Sequence, residues 1–285
     1  VSTSYVAAIE AIAREAGALL KDFYSRHIGF EYKGDVDLVT EADRNSEKLI
    51  TSRIGEQFPD HDIMGEEGAR RETGSAFRWY VDPLDGTTNF AHGFPVFCVS
   101  IGLEHRGELI AGVIYDPTRD ECFAAEQGSG AFLNGARMSV SKTQHLSESL
   151  LATGFPSHKR HKNPNIHFYH QITLRSHGVR RAGSASLDLA NVASGRVDGF
   201  WEFNLNPWDT AAGVVLVREA GGMVTRYDGS PFTIDSRETL ATNGIIHEEL
   251  RALMQDIFAG RNLEPLPSPQ EYARMRAERE KSQSN

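Results

Sequence analysis

The run Asp82-Pro83-Leu84-Asp85-Gly86-Thr87-Thr88 places two carboxylates, a carbonyl and two hydroxyls directly after the apolar stretch Phe77 to Val81. Hard divalent cations prefer oxygen ligands, and two carboxylates with the Leu84 carbonyl projecting from one tight turn would supply them. Gly86 lets the backbone come close to an anion, and the Gly86 and Thr87 amides at a helix N-terminus would cradle a phosphate. Five specified residue types in this pattern arise by accident in such a chain with a probability on the order of 10⁻⁴. The bland alternative is an Asp-Gly turn in which both acids only cap the backbone.

Three further carboxylates have ordinary readings of their own. Glu66, in Gly65-Glu66-Glu67-Gly68, could be a solvated loop acid. Asp209, in Trp208-Asp209-Thr210, could be the N-cap of the apolar helix that ends at Gly221-Gly222. Asp43 fits a capping box, as the third helical residue after Thr40.

Together, in order and spacing, these pieces resemble the inositol monophosphatase family of magnesium-dependent, lithium-sensitive phosphatases. The match runs from Lys33 to Gly222 and adds Asp37-Leu38-Val39-Thr40, Gly183-Ser184-Ala185, and Glu202 seven residues before Asp209. The resemblance implies metal ligation by Glu66, Asp82, the Leu84 carbonyl, Asp85 and Asp209, with Asp43 and Thr87 orienting the attacking water. It implies a phosphate held by the Gly86 and Thr87 amides, and substrate hydroxyls reaching Ala185 and Glu202, with Ser184 and Lys33 as further candidates. Roughly two or three Mg²⁺ ions would neutralise the phosphoryl oxygens, activate the water and stabilise the leaving alkoxide, and Li⁺ would inhibit. No phosphoenzyme is required. The metals also let a chain of net charge −9 accept an anionic substrate.

A small polyol phosphate follows as substrate, with inositol monophosphate favoured because Glu202 stands where a carboxylate would accept from a ring hydroxyl. Relatives acting on histidinol phosphate, fructose 1,6-bisphosphate, NADP or nucleotide phosphates share most of the metal motif. Some bacterial relatives are partners of RNA or the transcription machinery, which leaves a regulatory binding role as the alternative of another class. The resemblance further implies an α/β fold, a layered αβαβα sandwich shared with fructose bisphosphatases, usually as a homodimer.

Rival motifs carry less. Asp35-Val36-Asp37-Leu38-Val39 resembles the nucleophile signature of haloacid-dehalogenase-like phosphatases, but Glu31, Tyr32, Lys33 and Gly34 before it do not read as a buried strand. Counted from Asp82, Gly93 occupies the place where an EF-hand needs a bidentate Glu. No Walker A sequence occurs, and Gly128-Ser129-Gly130 lacks the third glycine of a dinucleotide fingerprint. His158, His161, His167 and His170 alternate with Lys159, Arg160 and Lys162, which reads as an exposed basic loop in preference to a zinc site.

The elements that must position these residues follow from periodicity. Ile9, Ile12, Ala16, Leu19, Leu20 and Phe23 fall at helical spacing, an amphipathic helix and not a signal peptide. A second helix spans Asp43 to Phe58, and apolar runs at Phe77 to Val81, Val96 to Leu103, Leu109 to Tyr115 and Glu121 to Ala125 predict a strand and a meander. Thr143 to Phe168 reads as a long exposed connection, and Ser184 to Ala193 and Asp209 to Ala220 as helices. The division expected is an α+β half over 1–141, an α/β half over 142–262 and a loose charged tail over 263–285. With 30 basic against 39 acidic residues, a broad nucleic-acid or anionic-membrane surface is disfavoured. No apolar run reaches the roughly 18 residues of a membrane span, and the two cysteines, Cys98 and Cys122, fit a reducing compartment, so a cytoplasmic protein is expected.

Overall fold

Along strand Phe77–Asp85 successive side chains enter different cores, because a pleated strand alternates its faces. Tyr80 packs with Cys98, Ile114 and Phe123 on one side. Trp79 and Val81 join Ile12, Leu20 and Ile50 on the other. The computed structural model describes residues 5–26, 30–32, 38–155, 163–266 and 268–283. Lys33, the Asp35-Val36-Asp37 motif and the basic stretch His158 to Lys162 lie outside them.

The strand Phe77–Asp85 belongs to an eight-stranded sheet, in which it pairs antiparallel with Cys98–His105 and parallel with Asp62–Gly65. Cys98–His105, Glu108–Asp116 and Glu121–Glu126 form the expected antiparallel meander. Helices Tyr5–Ser25 and Glu41–Gln57 cover its outer face through Ile9, Ile12, Ile50 and Ile54. A five-stranded sheet contains Leu150–Thr153, parallel to both neighbours, and Gly199–Phe203. Helices Ala185–Ala193 and Pro207–Glu219 fill the space between the two sheets, packing on Ile114 and Phe123 from one and on Ala152, Phe200 and Ala241 from the other. Helices Asn165–Thr173 and His247–Phe258 close the far side through Phe168, Ile172, Leu250 and Met254. The order of layers is therefore α, β, α, β, α.

Close approach of the middle helix depends on a cross-strand pair of glycines. Gly102 and Gly112 face each other across neighbouring strands. A Cβ on Gly102 would stand 2.5 Å from Ala211 Cβ, and one on Gly112 would stand 2.6 Å from the Ala212 backbone. The bare backbone thus admits helix Pro207–Glu219, and with it Asp209, onto the sheet that carries Asp82 and Asp85.

Two regions differ from the sequence reading. The supposed connection Thr143 to Phe168 contains the strand Leu150–Thr153, which lies inside the smaller sheet, and the start of helix Asn165–Thr173. Its four residues sit among polar neighbours, and a strand covered on both faces shows no alternation to reveal it. Past Pro265 the chain is not loose throughout: Pro269–Gln283 is an α-helix. Its residues favour helix, Ser268 and Glu271 cap it, and Arg276 pairs with Glu280 at 2.8 Å, although no side of it is buried.

Candidate active site

A β-bulge aims the two central acids. In a regular strand, residues three apart face opposite ways. Between Asp82, opposite Ser100, and Asp85, opposite Cys98, the register shifts by one residue, so both carboxylates turn toward the inner helices. Pro83, which has no N–H to give, is tolerated there because the bulge leaves its position outside the ladder. The Leu84 amide donates to Asp82 Oδ1 at 3.0 Å. Gly86 follows at φ 97°, left-handed backbone, with Val96 O 2.8 Å from where a Cβ would stand, so only glycine fits this turn. Helix Thr87–Ala91 starts at once behind it.

Asp43 completes its capping box and also meets Thr87. Its Oδ2 accepts from the Thr40 amide at 2.8 Å and the Thr40 hydroxyl at 2.5 Å, completing the capping box. Its Oδ1 accepts from Thr87 Oγ1 at 3.0 Å. The Thr87 hydroxyl also lies 3.0 Å from the Leu84 carbonyl. Asp209 likewise closes a capping box, accepting the Asn206 amide at 2.7 Å. Asn206 is the N-cap and Asp209 the third helical residue, so the bland alternative of Asp209 as the N-cap itself does not hold.

The second half of the chain holds Asp85 in place. Asp85 Oδ2 accepts from Ser184 Oγ and from the Ser186 amide, each at 2.7 Å, with the Cys98 thiol at 3.9 Å. Ser184 thus touches the candidate metal ligand as well as capping helix Ala185–Ala193. An open cavity of about 440 Å³ lies here, lined by Glu66, Asp85, Ser184, Ala185, Glu202 and Asp209 among others. Asp82, Leu84, Gly86 and Thr87, in the turn beside it, and Asp43, on helix Glu41–Gln57, are not part of its lining.

Charge identifies the character of the site. Burial raises Asp82 well above the usual carboxylate range, and the charges of Glu66, Asp85 and Asp209 raise it further. Burial and the Asp85 charge push Asp209 up to about 8, against hydrogen bonds from Asn206 that pull it down. Asp85 is also raised by burial, with the Ser184 and Ser186 bonds opposing. Carboxylates gathered so that each penalises the next suit a hard cation, which would be held by oxygen alone. Among the described residues no trio of His, Cys, Asp or Glu side chains has its donor atoms already gathered at coordinating distances, so the metal set rests on this donor chemistry and on these mutual charges.

One residue of this neighbourhood was not legible in the sequence. Glu47, buried on helix Glu41–Gln57, accepts the Glu67 amide at 2.8 Å and the Ala69 amide at 2.9 Å. It thereby fixes the loop that presents Glu66. Nothing in the local sequence of a helical Glu announces a loop twenty residues away.

The sequence pattern that defines the inositol monophosphatase family matches residues 2–259. The chain belongs to the inositol monophosphatase family. It is 48% identical over 239 residues to the inositol-1-monophosphatase of Synechocystis sp., covering 82% of this chain and 83% of that one. It is 44% identical over 239 residues to the Nus factor SuhB of Pseudomonas aeruginosa, covering 81% and 88%. The solved inositol monophosphatase of Anabaena superposes with a TM-score of 0.82 at 42% identity, over 92% of this chain and 97% of that one. The layered sandwich of the inositol monophosphatase fold is thus shared along nearly the whole chain.

Proposed function

We propose that this phosphoric monoester hydrolase cleaves a small polyol phosphate, inositol monophosphate foremost, with Mg²⁺ held by Glu66, Asp82, the Leu84 carbonyl, Asp85 and Asp209. The observation that carries the proposal is the meeting of acids from both halves of the chain, Asp82 and Asp85 with Asp209, where burial and mutual repulsion favour a cation. The family is one of divalent-metal phosphatases. When bound, the metal supplies charge neutralisation for the phosphoryl oxygens, a more acidic water and support for the departing alkoxide.

The chain's own groups do the rest. Thr87 donates its hydroxyl proton to Asp43 Oδ1, which leaves its lone pairs to accept from and orient the attacking water. The Gly86 and Thr87 amides, at the start of helix Thr87–Ala91, meet the phosphate as donors. Ser184 and the Ser186 amide fix Asp85 from the opposite half, so closure of the two halves, 1–141 and 142–262, completes the site. Glu202, on strand Gly199–Phe203, faces the cavity where a substrate hydroxyl would donate to it. We take the working form to be a homodimer, as the family resemblance implies, and the setting to be reducing and cytoplasmic, for which the two free buried thiols speak. No helix among the described residues is long and apolar enough to cross a membrane. Association with the transcription machinery is favoured by the name of the Pseudomonas relative, whereas the Thr87–Asp43 pair favours chemistry.

Phosphate release from inositol 1-phosphate, histidinol phosphate, fructose 1,6-bisphosphate and 2′-AMP, with Mg²⁺ and with EDTA, tests the proposal. Mg²⁺-dependent turnover with the highest kcat/KM on inositol 1-phosphate is expected. Turnover that survives EDTA contradicts the metal assignment, and a higher kcat/KM on another of these compounds contradicts the substrate.

A further inference from the structure

Asp188 lies in the first turn of helix Ala185–Ala193 and is 3% exposed, yet its side chain has no hydrogen bond among the described residues. The helix does not need it as a cap, because Ser184 accepts the Leu187 amide at 3.3 Å. It is no solvated surface acid, and among the described residues no cation stands within ion-pairing distance of it; Arg181 acts on it only through the field. It does line the cavity, as Glu202 does, and the charge of Asp188 acts on Glu202. Glu202 is buried to a similar degree and also lacks a side-chain hydrogen bond among the described residues. Buried polar groups ordinarily have partners. Both acids therefore present their hydrogen-bonding capacity to whatever enters the cavity.

We propose that Asp188 is a specificity-determining residue, accepting a hydroxyl of the substrate next to the hydroxyl bound by Glu202, so that the pair selects neighbouring hydroxyls on a polyol phosphate. This inference rests on the phosphatase reading above. Burial raises both carboxyls well above the ordinary carboxylate range, and a carboxyl keeps an oxygen free to accept in either protonation state, so a hydroxyl, which donates and accepts, is the complementary group. Two adjacent carboxyls match the adjacent hydroxyls of a cyclic polyol, and neither offers a cation to a second phosphate at that end. Arg181 offsets part of their charge.

Kinetics of Asp188→Ala and Asp188→Asn with inositol 1-phosphate and with p-nitrophenyl phosphate, at saturating Mg²⁺, test the assignment. The ratio of kcat/KM for inositol 1-phosphate over p-nitrophenyl phosphate should fall about tenfold in the Ala variant, mainly through KM, and by a smaller factor in Asn, which keeps one acceptor. An unchanged ratio overturns the proposal. Equal losses on both substrates with a raised Mg²⁺ requirement also overturn it, since Asp188 would then serve Asp85. Calorimetric titration of inositol 1-phosphate into Ca²⁺-loaded protein gives the same comparison without turnover: about tenfold weaker binding to Asp188→Ala supports the assignment, and equal affinity contradicts it. A wild-type protein that releases phosphate from neither compound defeats the phosphatase reading, and the calorimetry still decides the role of Asp188.

Discussion

Asp209 keeps its proton up to about pH 8, whereas a carboxyl in the unfolded chain loses it near 3.8. Between those values the folded state binds the extra proton, so each rise in pH favours unfolding. Asp82 and Asp85 are shifted in the same direction. In EDTA the thermal midpoint should therefore fall as pH rises from about 5 to about 8.5, and Asp209→Asn should flatten that slope. Mg²⁺ should raise the midpoint more at the upper pH, where it no longer competes with protons. Calorimetric melts at both pH values check this, and a Mg²⁺ effect equal at both would contradict it. At this scale the sequence was informative where chemistry is contiguous: Asp82, Leu84, Asp85, Gly86 and Thr87 occupy one turn and could be read together. Asp188 and Glu47 were not legible, because each acquires its role from a partner that only the fold brings near. Asp43 shows why a local reading can be correct and incomplete, since its two oxygens serve a helix cap and Thr87 separately.

Helix Glu41–Gln57 does more than cover the large sheet. Through Asp43 it reaches Thr87, and one turn later Glu47 holds the amides of the loop that carries Glu66. Burial raises Glu47 and the two amides oppose the shift, which marks a carboxylate used as an acceptor. Partners that orient metal ligands are worth roughly 10- to 100-fold in metal affinity. Glu47→Ala should raise the Mg²⁺ concentration for half-maximal activity about tenfold, with a smaller change in kcat at saturating Mg²⁺, and Glu47→Gln should recover part of the loss. A folded Ala variant with an unchanged Mg²⁺ titration would remove Glu47 from the metal site. Elements with long amphipathic periods, such as Tyr5–Ser25, were visible in the sequence because one face repeats over many turns. Leu150–Thr153 was hidden because a four-residue interior strand has no second face to display. Helix Pro269–Gln283 shows no such apolar repeat, because it forms without a buried face.

Across the whole molecule, the site exists where two sheets press one helical layer between them. The large sheet supplies Asp82 and Asp85, the helical layer supplies Asp209 and the Ser184 clamp, and the smaller sheet supplies Glu202. Gly102 and Gly112 let the layers come close enough for these acids to act on one another. Asp85 is the hinge of that arrangement, since one oxygen is tied to Ser184 and Ser186 across the halves. The decisive experiment compares wild type with Asp85→Asn in Mg²⁺-dependent phosphate release from inositol 1-phosphate, with circular dichroism to establish that the variant is folded. Wild type should turn over only with Mg²⁺, and the folded variant should lose activity by roughly 10³-fold or more, as expected when a charge-stabilising group is removed from a transition state. A folded Asp85→Asn protein with near wild-type turnover would contradict the metal-centred phosphatase site.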